Sequence, residues 1–265
     1  MLRLWLTRRW LLGTLVAVLF AVACFYLGLW QWHRHVEQLT KVEAIATNYD
    51  SAAVPLESLE PLRSLTPEQQ WRHVTLTGTY AAGRDLLVRN RTRDQTVGFE
   101  VLTPFTTSDR TVLIDRGWVA NGPDAETSPP TDPPPSGEVS VTGWLRTGEP
   151  QLGRDLPEPQ LASISIADSR MLRPGLSPAD VYVVLGAQQP AASALAHPVL
   201  PLPRPEEDLG PHQAYAYQWW LFMPGALIFI GFAIRRESNA GRAADDESEA
   251  AAPLRRVRIW DEEDA

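Results

Sequence analysis

The sequence predicts a membrane protein of the α+β class, with two transmembrane helices, N-in and C-in, flanking a mostly antiparallel β extracytoplasmic domain. Three observations lead there. The chain has 265 residues and a slightly negative mean hydropathy, so most of it is polar. Two uncharged runs, at 10–32 and 212–234, stand out against that background. Between them lie alternating, β-branched segments separated by proline-rich stretches, with no alternation of strand and long helix.

Each apolar run is near the ~20 residues that a helix needs to cross the hydrocarbon core. Trp30, Trp32, Trp219 and Trp220 fall at the ends of these runs, where indole settles at headgroup depth. Arg8 and Arg9 precede the first run, and Arg235 and Arg236 follow the second. The positive-inside rule then places residues 1–9 and 235–265 in the cytoplasm and 33–211 outside the cytoplasmic membrane. Arg3, Arg8 and Arg9 before an apolar stretch also suit a signal peptide, and Ala21-Val22-Ala23-Cys24 resembles a lipoprotein cleavage site. The run continues through Phe25-Tyr26-Leu27-Gly28-Leu29-Trp30, beyond the ~7–15 residues of a signal core, so an uncleaved anchor is expected.

Val36, Leu39, Val42 and Ile45 recur at helical spacing and extend the first helix outward as an amphipathic stalk to Asn48. Residues 51–67 read as loop. Strands are expected over 73–80, 85–90, 97–105, 111–119, 139–145 and 181–185. The short polar segment 106–110 makes the third and fourth a hairpin. Val139 to Leu145 echoes Val74 to Tyr80, which suggests equivalent strands. Residues 121–137 form a proline-rich loop, 150–159 and 170–178 are loop or turn, and 190–211 leads back to the membrane. The acidic tail 235–265 reads as disordered, with Arg255 to Trp260 a short basic and aromatic stretch inside it.

Composition excludes several functions. A net charge of −8 without a basic stripe argues against nucleic acid as a partner and leaves membrane lipid. Cys24 is the only cysteine, so there is no intrachain disulfide and no cysteine metal site. No nucleophile elbow, phosphate loop, His-Glu-x-x-His or dinucleotide fingerprint occurs, so the chain is not expected to be an enzyme. Asp115 and Arg116 are adjacent in a strand and point to opposite faces. Arg116 beside Trp118 reads either as a ligand contact or as a packed strand end.

The histidines differ in their surroundings. His197 precedes a proline in a loop, and His73 opens a strand without an evident partner. His33 and His35 face different directions at a helix exit and mark the membrane boundary. His212, Tyr215 and Trp219 share one helical face, with Gln218 near it. Trp30 and Arg34 make an i,i+4 pair on the first helix. If both runs span, these groups lie on one side of the bilayer. An imidazole, an arginine and aromatic planes there could hold a flat amphipathic cofactor such as haem, with the imidazole as axial ligand and Arg34 on a propionate. On spacing alone, a set of interfacial anchors is the favoured reading.

Several stretches together resemble the surfeit locus (Surf-one or Shy-one type) family of cytochrome c oxidase assembly proteins, in a bacterial member. They are Leu27-Gly28-Leu29-Trp30-Gln31-x-x-Arg34, Gly98-x-x-Val101-Leu102-Thr103-Pro104-Phe105, Val112-Leu113-Ile114-Asp115-Arg116-Gly117-Trp118-Val119, Val141-x-Gly143-x-Leu145-Arg146 and His212-x-x-Tyr215-Ala216-x-Gln218-Trp219. The resemblance covers about Trp10 to Ile234. It implies a two-span protein that binds haem a and helps deliver it to the core subunit of an aa3-type haem–copper oxidase, as a chaperone in complex IV assembly. It implies His212 as iron ligand through haem, and Trp30, Gln31, Arg34, Arg116, Trp118, Tyr215, Gln218 and Trp219 as cofactor-binding candidates. The implied partners are the oxidase core subunit and proteins of haem a synthesis or delivery. The alternatives are an oxidase scaffold or accessory subunit that never binds haem and, less favoured, a membrane-anchored enzyme. The chain departs from the family pattern in lacking an aromatic-rich segment over 151–180 and in having Gln213 where leucine is usual.

Overall fold

The structure, a computed structural model, describes residues 7–59, 64–122, 127–177, 179–193 and 195–250. The basic stretch Arg255 to Trp260 and the first residues of the chain lie outside them. The chain divides into two compact units, one of Met1–Val36 with Gly210–Ala265 and the other Glu37–Leu209.

Helix α1, Arg8–Asn48, runs without a break through the apolar segment and the stalk. It contains no proline and is rich in Leu, Ala and Val, so nothing in it interrupts the ladder. Within the first unit α1 buries Ala17, Ala21, Cys24 and Gly28, spaced so that they fall on one face. The second helix of that unit, His212–Ala250 (labelled α3 below, after a short α2), buries Ala216, Ile234 and Ser238. Gly28 shows why the seam is small: a Cβ there would stand 2.2 Å from Nε1 of Trp220. Small residues let two backbones approach closely where no hydrophobic drive separates helix from lipid. Outside the seam, Leu15, Val16, Leu19, Phe20, Leu221, Ile228, Phe229 and Phe232 are all exposed. Both helices are long and apolar enough to cross a membrane. Residues 235–250 continue α3 as helix, where the sequence led us to expect a disordered tail. The physical reason is local: the segment is rich in Ala, Glu and Arg, and extension from an existing helix needs no new nucleus.

The second unit is a β domain. Its strands are β1 Val54–Pro55, β2 Arg72–Tyr80, β3 Leu86–Arg93, β4 Thr96–Thr106, β5 Thr111–Ala120, β6 Val139–Thr147, β7 Gln160–Leu161 and β8 Val181–Gln189. Their order in the sheet is β1-β2-β6-β8-β5-β4-β3-β7, and β2 also pairs with β4. That extra pairing closes β2, β6, β8, β5 and β4 into a ring. β4 serves both neighbours, with 96–102 on β3 and Phe105 and Thr106 on β2. Gly78 permits the closure, because a Cβ there would lie 2.1 Å from the Thr106 carbonyl oxygen. The two segments with similar sequences are antiparallel neighbours, Val74 opposite Gly143 and Leu76 opposite Val141.

Strands β5 and β8 are buried on both faces. Val112, Ile114, Val181 and Val183 join one core cluster with Val74, Phe105 and Leu145, while Leu113, Tyr182 and Val184 join another with Leu86 and Leu102. Double burial explains why 181–185 reads as a continuous apolar run. Two short strands and a helix were missed. β1 and β7 are too short to carry a period. Helix α2, Ile166–Leu172, does announce itself, since Ser165 accepts the backbone N–H of Asp168 at its start.

Ile114 is fully buried between β4 and β8. Ile114→Ala should lower stability by about 2–5 kcal/mol and Ile114→Val by about 0.5–1.5 kcal/mol. Urea unfolding of the detergent-solubilised protein measures both, and equal losses for the two would contradict a close-packed core at this position.

Candidate functional site

The chain turns into α3 at Gly210, whose φ of +64° suits glycine, and Tyr215 N–H donates to the Pro211 carbonyl as the first helical bond. This puts His212 on the first turn. Its Nδ1 lies 2.9 Å from Oε1 of Gln31 on α1. An amide oxygen accepts only, so the imidazole donates to it from Nδ1. A hydrogen bond that fixes the tautomer in this way is the usual support of a metal-binding imidazole.

Next to this pair lies an aromatic group. Trp32 packs against Trp220 at 6.0 Å and Tyr217 at 6.1 Å between ring centroids, and Tyr217 packs against Trp220 at 6.1 Å. Trp220 sits over Gly28, with its indole N–H directed at the Phe25 carbonyl at 3.4 Å. Trp32 also meets the ring of His35 at 5.5 Å. His35 is buried, and its Nδ1 has no hydrogen-bond partner. Among the described residues no group of three or more His, Cys, Asp or Glu is placed to hold a bare metal ion. The donor set consists of imidazoles beside aromatic planes, which suits a flat ring system carrying its own metal.

Of the residues singled out in the sequence, His212 and Gln31 are brought into contact. Trp30 and Arg34 meet each other, the guanidinium 5.8 Å from the ring centroid, and both are exposed. Tyr215 and Gln218 are exposed, and Trp219 packs on Phe222. The face of α3 that meets α1 runs through His212, Ala216 and Trp220 instead. Trp32, Tyr217, Trp220 and His35 belong to this group and were not selected from sequence. The signal was present: 28 and 32 on α1, and 212, 216 and 220 on α3, are i,i+4 series.

Arg116 and Trp118 belong to the β domain, and their contacts lie within it. Arg116 is buried, donates from Nη2 to the Asp132 carbonyl at 2.9 Å and stands 3.7 Å from Asp85. The Asp132 carboxylate accepts the backbone N–H groups of Leu195 and His197. Asp85 accepts from Thr103 and Thr131. The network ties the proline-rich loop and the 195–199 segment to the sheet. Trp118 donates its indole N–H to the Arg91 carbonyl, and its backbone pairs with Leu200. His73 has a partner after all: its Nδ1 is 2.8 Å from the Ser51 carbonyl, and its ring stacks on Trp144, which stacks in turn on Tyr49 at 4.1 Å. His197 is exposed, as its loop position suggested. Beside the stalk, a groove of about 530 Å³ is lined by Lys41, Gln70, Trp71 and Arg146, with Arg146 stacked 4.1 Å over Trp71.

A pair of helices long and apolar enough to cross a membrane, joined to a closed, mostly antiparallel β domain, supports a membrane location. Comparison with known proteins is more specific. Residues 18–223 match the SURF1 family model. Uncharacterised SURF1-like proteins of Mycobacterium tuberculosis and Mycobacterium bovis are each 33% identical over 241 residues, covering 88% of this chain and 86% of the relative. Surfeit locus protein 1 of Xenopus tropicalis is 29% identical over 160 residues, covering 53% of this chain and 48% of the relative. The chain belongs to the SURF1 family.

The β domain also holds a buried acid, Asp115, which accepts the Gly117 N–H at 3.1 Å. Burial raises its carboxyl well above the ordinary 3.8, and nearby Glu100 adds to the rise. The folded protein therefore keeps this proton at pH values where the unfolded chain has lost it. The stabilising contribution is complete below 3.8 and is lost as pH rises through the raised folded value. Asp115→Asn keeps an oxygen for Gly117 and removes the titration. From about pH 4 to about pH 7 the wild type should lose more stability than Asp115→Asn, read as the urea midpoint at each pH. Parallel midpoints across that range would show that Asp115 is ionised in the folded state.

Proposed function

We propose that this protein is a membrane-bound assembly factor for an aa3-type haem–copper cytochrome c oxidase, which holds haem a at the ends of its two apolar helices and hands it to the oxidase core subunit. The observation that carries the reading is the Gln31–His212 hydrogen bond, which ties the imidazole of α3 to α1 one residue before Trp32, itself packed on Tyr217 and Trp220. Membership of the SURF1 family supports the oxidase as the destination.

The division of roles follows from the residues. His212 would hold the iron, and Gln31 would keep its ring in the coordinating tautomer. The aromatic rings would offer flat apolar walls, and bound haem would supply the oxidase with its redox centre. Arg34, exposed and stacked on Trp30, would face a propionate at the headgroup layer. The protein itself works by holding and releasing, with only the coordinate bond from His212 to the iron made and broken. Its partners are then the oxidase core subunit and the proteins that make or deliver haem a.

The topology is part of the proposal: both termini cytoplasmic and the β domain outside. Reporter fusions after Gly137 should be active only outside the cytoplasm and fusions after Ala250 only inside it. A fusion after Gly137 that is active in the cytoplasm would remove the two-span arrangement.

His212→Ala should abolish haem copurification while the protein still inserts, because the apolar run beyond it is untouched. Gln31→Leu should retain the ligand and weaken haem affinity by about 10–100-fold, the usual cost of losing a group that orients a metal-bound histidine. His197→Ala serves as the neutral control. The absorbance spectrum of the purified variants reports each. A His212→Ala protein with its full haem complement would favour a scaffold that meets the oxidase without this ligand.

A further inference from the structure

We propose that His35 is the second imidazole of the site at His212, so that the two helices offer a pair of histidines, one from each, to a single metalloporphyrin. The inference rests on the haem reading above and narrows it.

Three observations carry it. His35 is only 7% exposed, and its Nδ1 is shut off from solvent with no hydrogen-bond partner. A buried polar atom without a partner is rare in a folded protein and points to a group that the polypeptide alone does not supply. Second, His35 lies one helical turn beyond Gln31, the residue that holds His212. Third, its ring adjoins Trp32, which is also in contact with Tyr217 and Trp220 of α3. His35 therefore lies at the edge of a ring group to which both helices contribute, one turn from the residue that binds His212.

The other histidines fail on the same observations. His33 is exposed, and two residues along a helix turn it away from the Gln31 face. His73 is held by the Ser51 carbonyl and stacked on Trp144. His197 is exposed in its loop. The two candidate donors also differ in a useful way. His212 has its Nδ1 fixed by Gln31 and is preset to bind. His35 has no such hydrogen bond at its Nδ1. A carrier that must release its cargo gains from one fixed and one unsupported ligand.

The test uses the full-length protein in detergent micelles, titrated separately with ferric haem b and with haem a. Binding is followed by absorbance, and ligation by electron paramagnetic resonance. Wild type should give a low-spin, six-coordinate spectrum with either haem. His35→Ala should still bind through His212 but become high-spin, and added imidazole should restore the low-spin signal. His35→Met, which fills the same space with a thioether, should stay six-coordinate with a shifted spectrum. That variant separates a lost ligand from a lost fold. His33→Ala should match wild type. A low-spin spectrum unchanged in His35→Ala, or a high-spin wild type, would overturn the assignment of His35 and leave His212 as ligand. If the wild type binds neither haem, the cofactor reading fails and His35 fails with it.

Discussion

The close seam between the two apolar helices is the constraint on which the candidate site depends. Ala17, Ala21, Cys24 and Gly28 remove side-chain bulk from one face of α1, and Trp220 occupies the space that a Cβ on Gly28 would need. Only at that separation can the short amide of Gln31 reach His212 at 2.9 Å. The hydrogen bond is thus a consequence of packing two turns deeper. It also explains why a polar pair can exist at all beside two apolar helices. The amide oxygen of one and the ring N–H of the other satisfy each other.

The β domain solves a different problem. A sheet with open edges outside a membrane invites pairing with other chains. Here the bend of β4, which pairs with β3 along its first part and with β2 at its end, closes the ring. Charged and polar groups then sit inside the fold, and several of them are tied to backbone. Arg116 anchors the Asp132 carbonyl, Asp132 holds two backbone N–H groups, and Trp118 reaches the Arg91 carbonyl. Deep in one strand, Asp115 and Arg116 point to opposite faces and meet different partners. The Arg116-Gly117-Trp118 run, which invites a ligand reading, is used to hold a long proline-rich loop against the sheet. At Gly117 the φ of +129° and the Leu200 carbonyl, 2.1 Å from where a Cβ would be, show how tightly the segment around Leu200 is held as well.

Much of this was legible in the sequence, because the periods were clean. The apolar runs, the stalk spacing of Val36, Leu39, Val42 and Ile45, and the alternation in 73–80 and 139–145 all signal their elements directly. The ends of strands were less legible: β3 begins and ends later than its composition suggests, since a register shift between Val88 and Arg91 lets it continue past Asn90. The helical form of 235–250 was hidden because charge and polarity resemble a solvated tail, while a helix already formed upstream lowers the cost of extension. At the candidate site, His212 and Gln31 could be named from the sequence. The partner face could not. Spacing of three and four residues from His212 selects two competing faces, one through Tyr215 and Trp219 and one through Ala216 and Trp220. Only the position of the other helix decides between them, and that is a fact of tertiary packing.

The two histidines at the helix ends also show why burial and partnership must be read together. His33 and His35 look alike in sequence, two polar residues at the exit of an apolar helix. One is exposed. The other is covered, next to Trp32, with a ring nitrogen that nothing in the fold satisfies. An imidazole is also the one side chain whose neutral form can serve a metal as readily as a hydrogen bond. Burial and partnership therefore separate two residues that sequence position alone leaves alike.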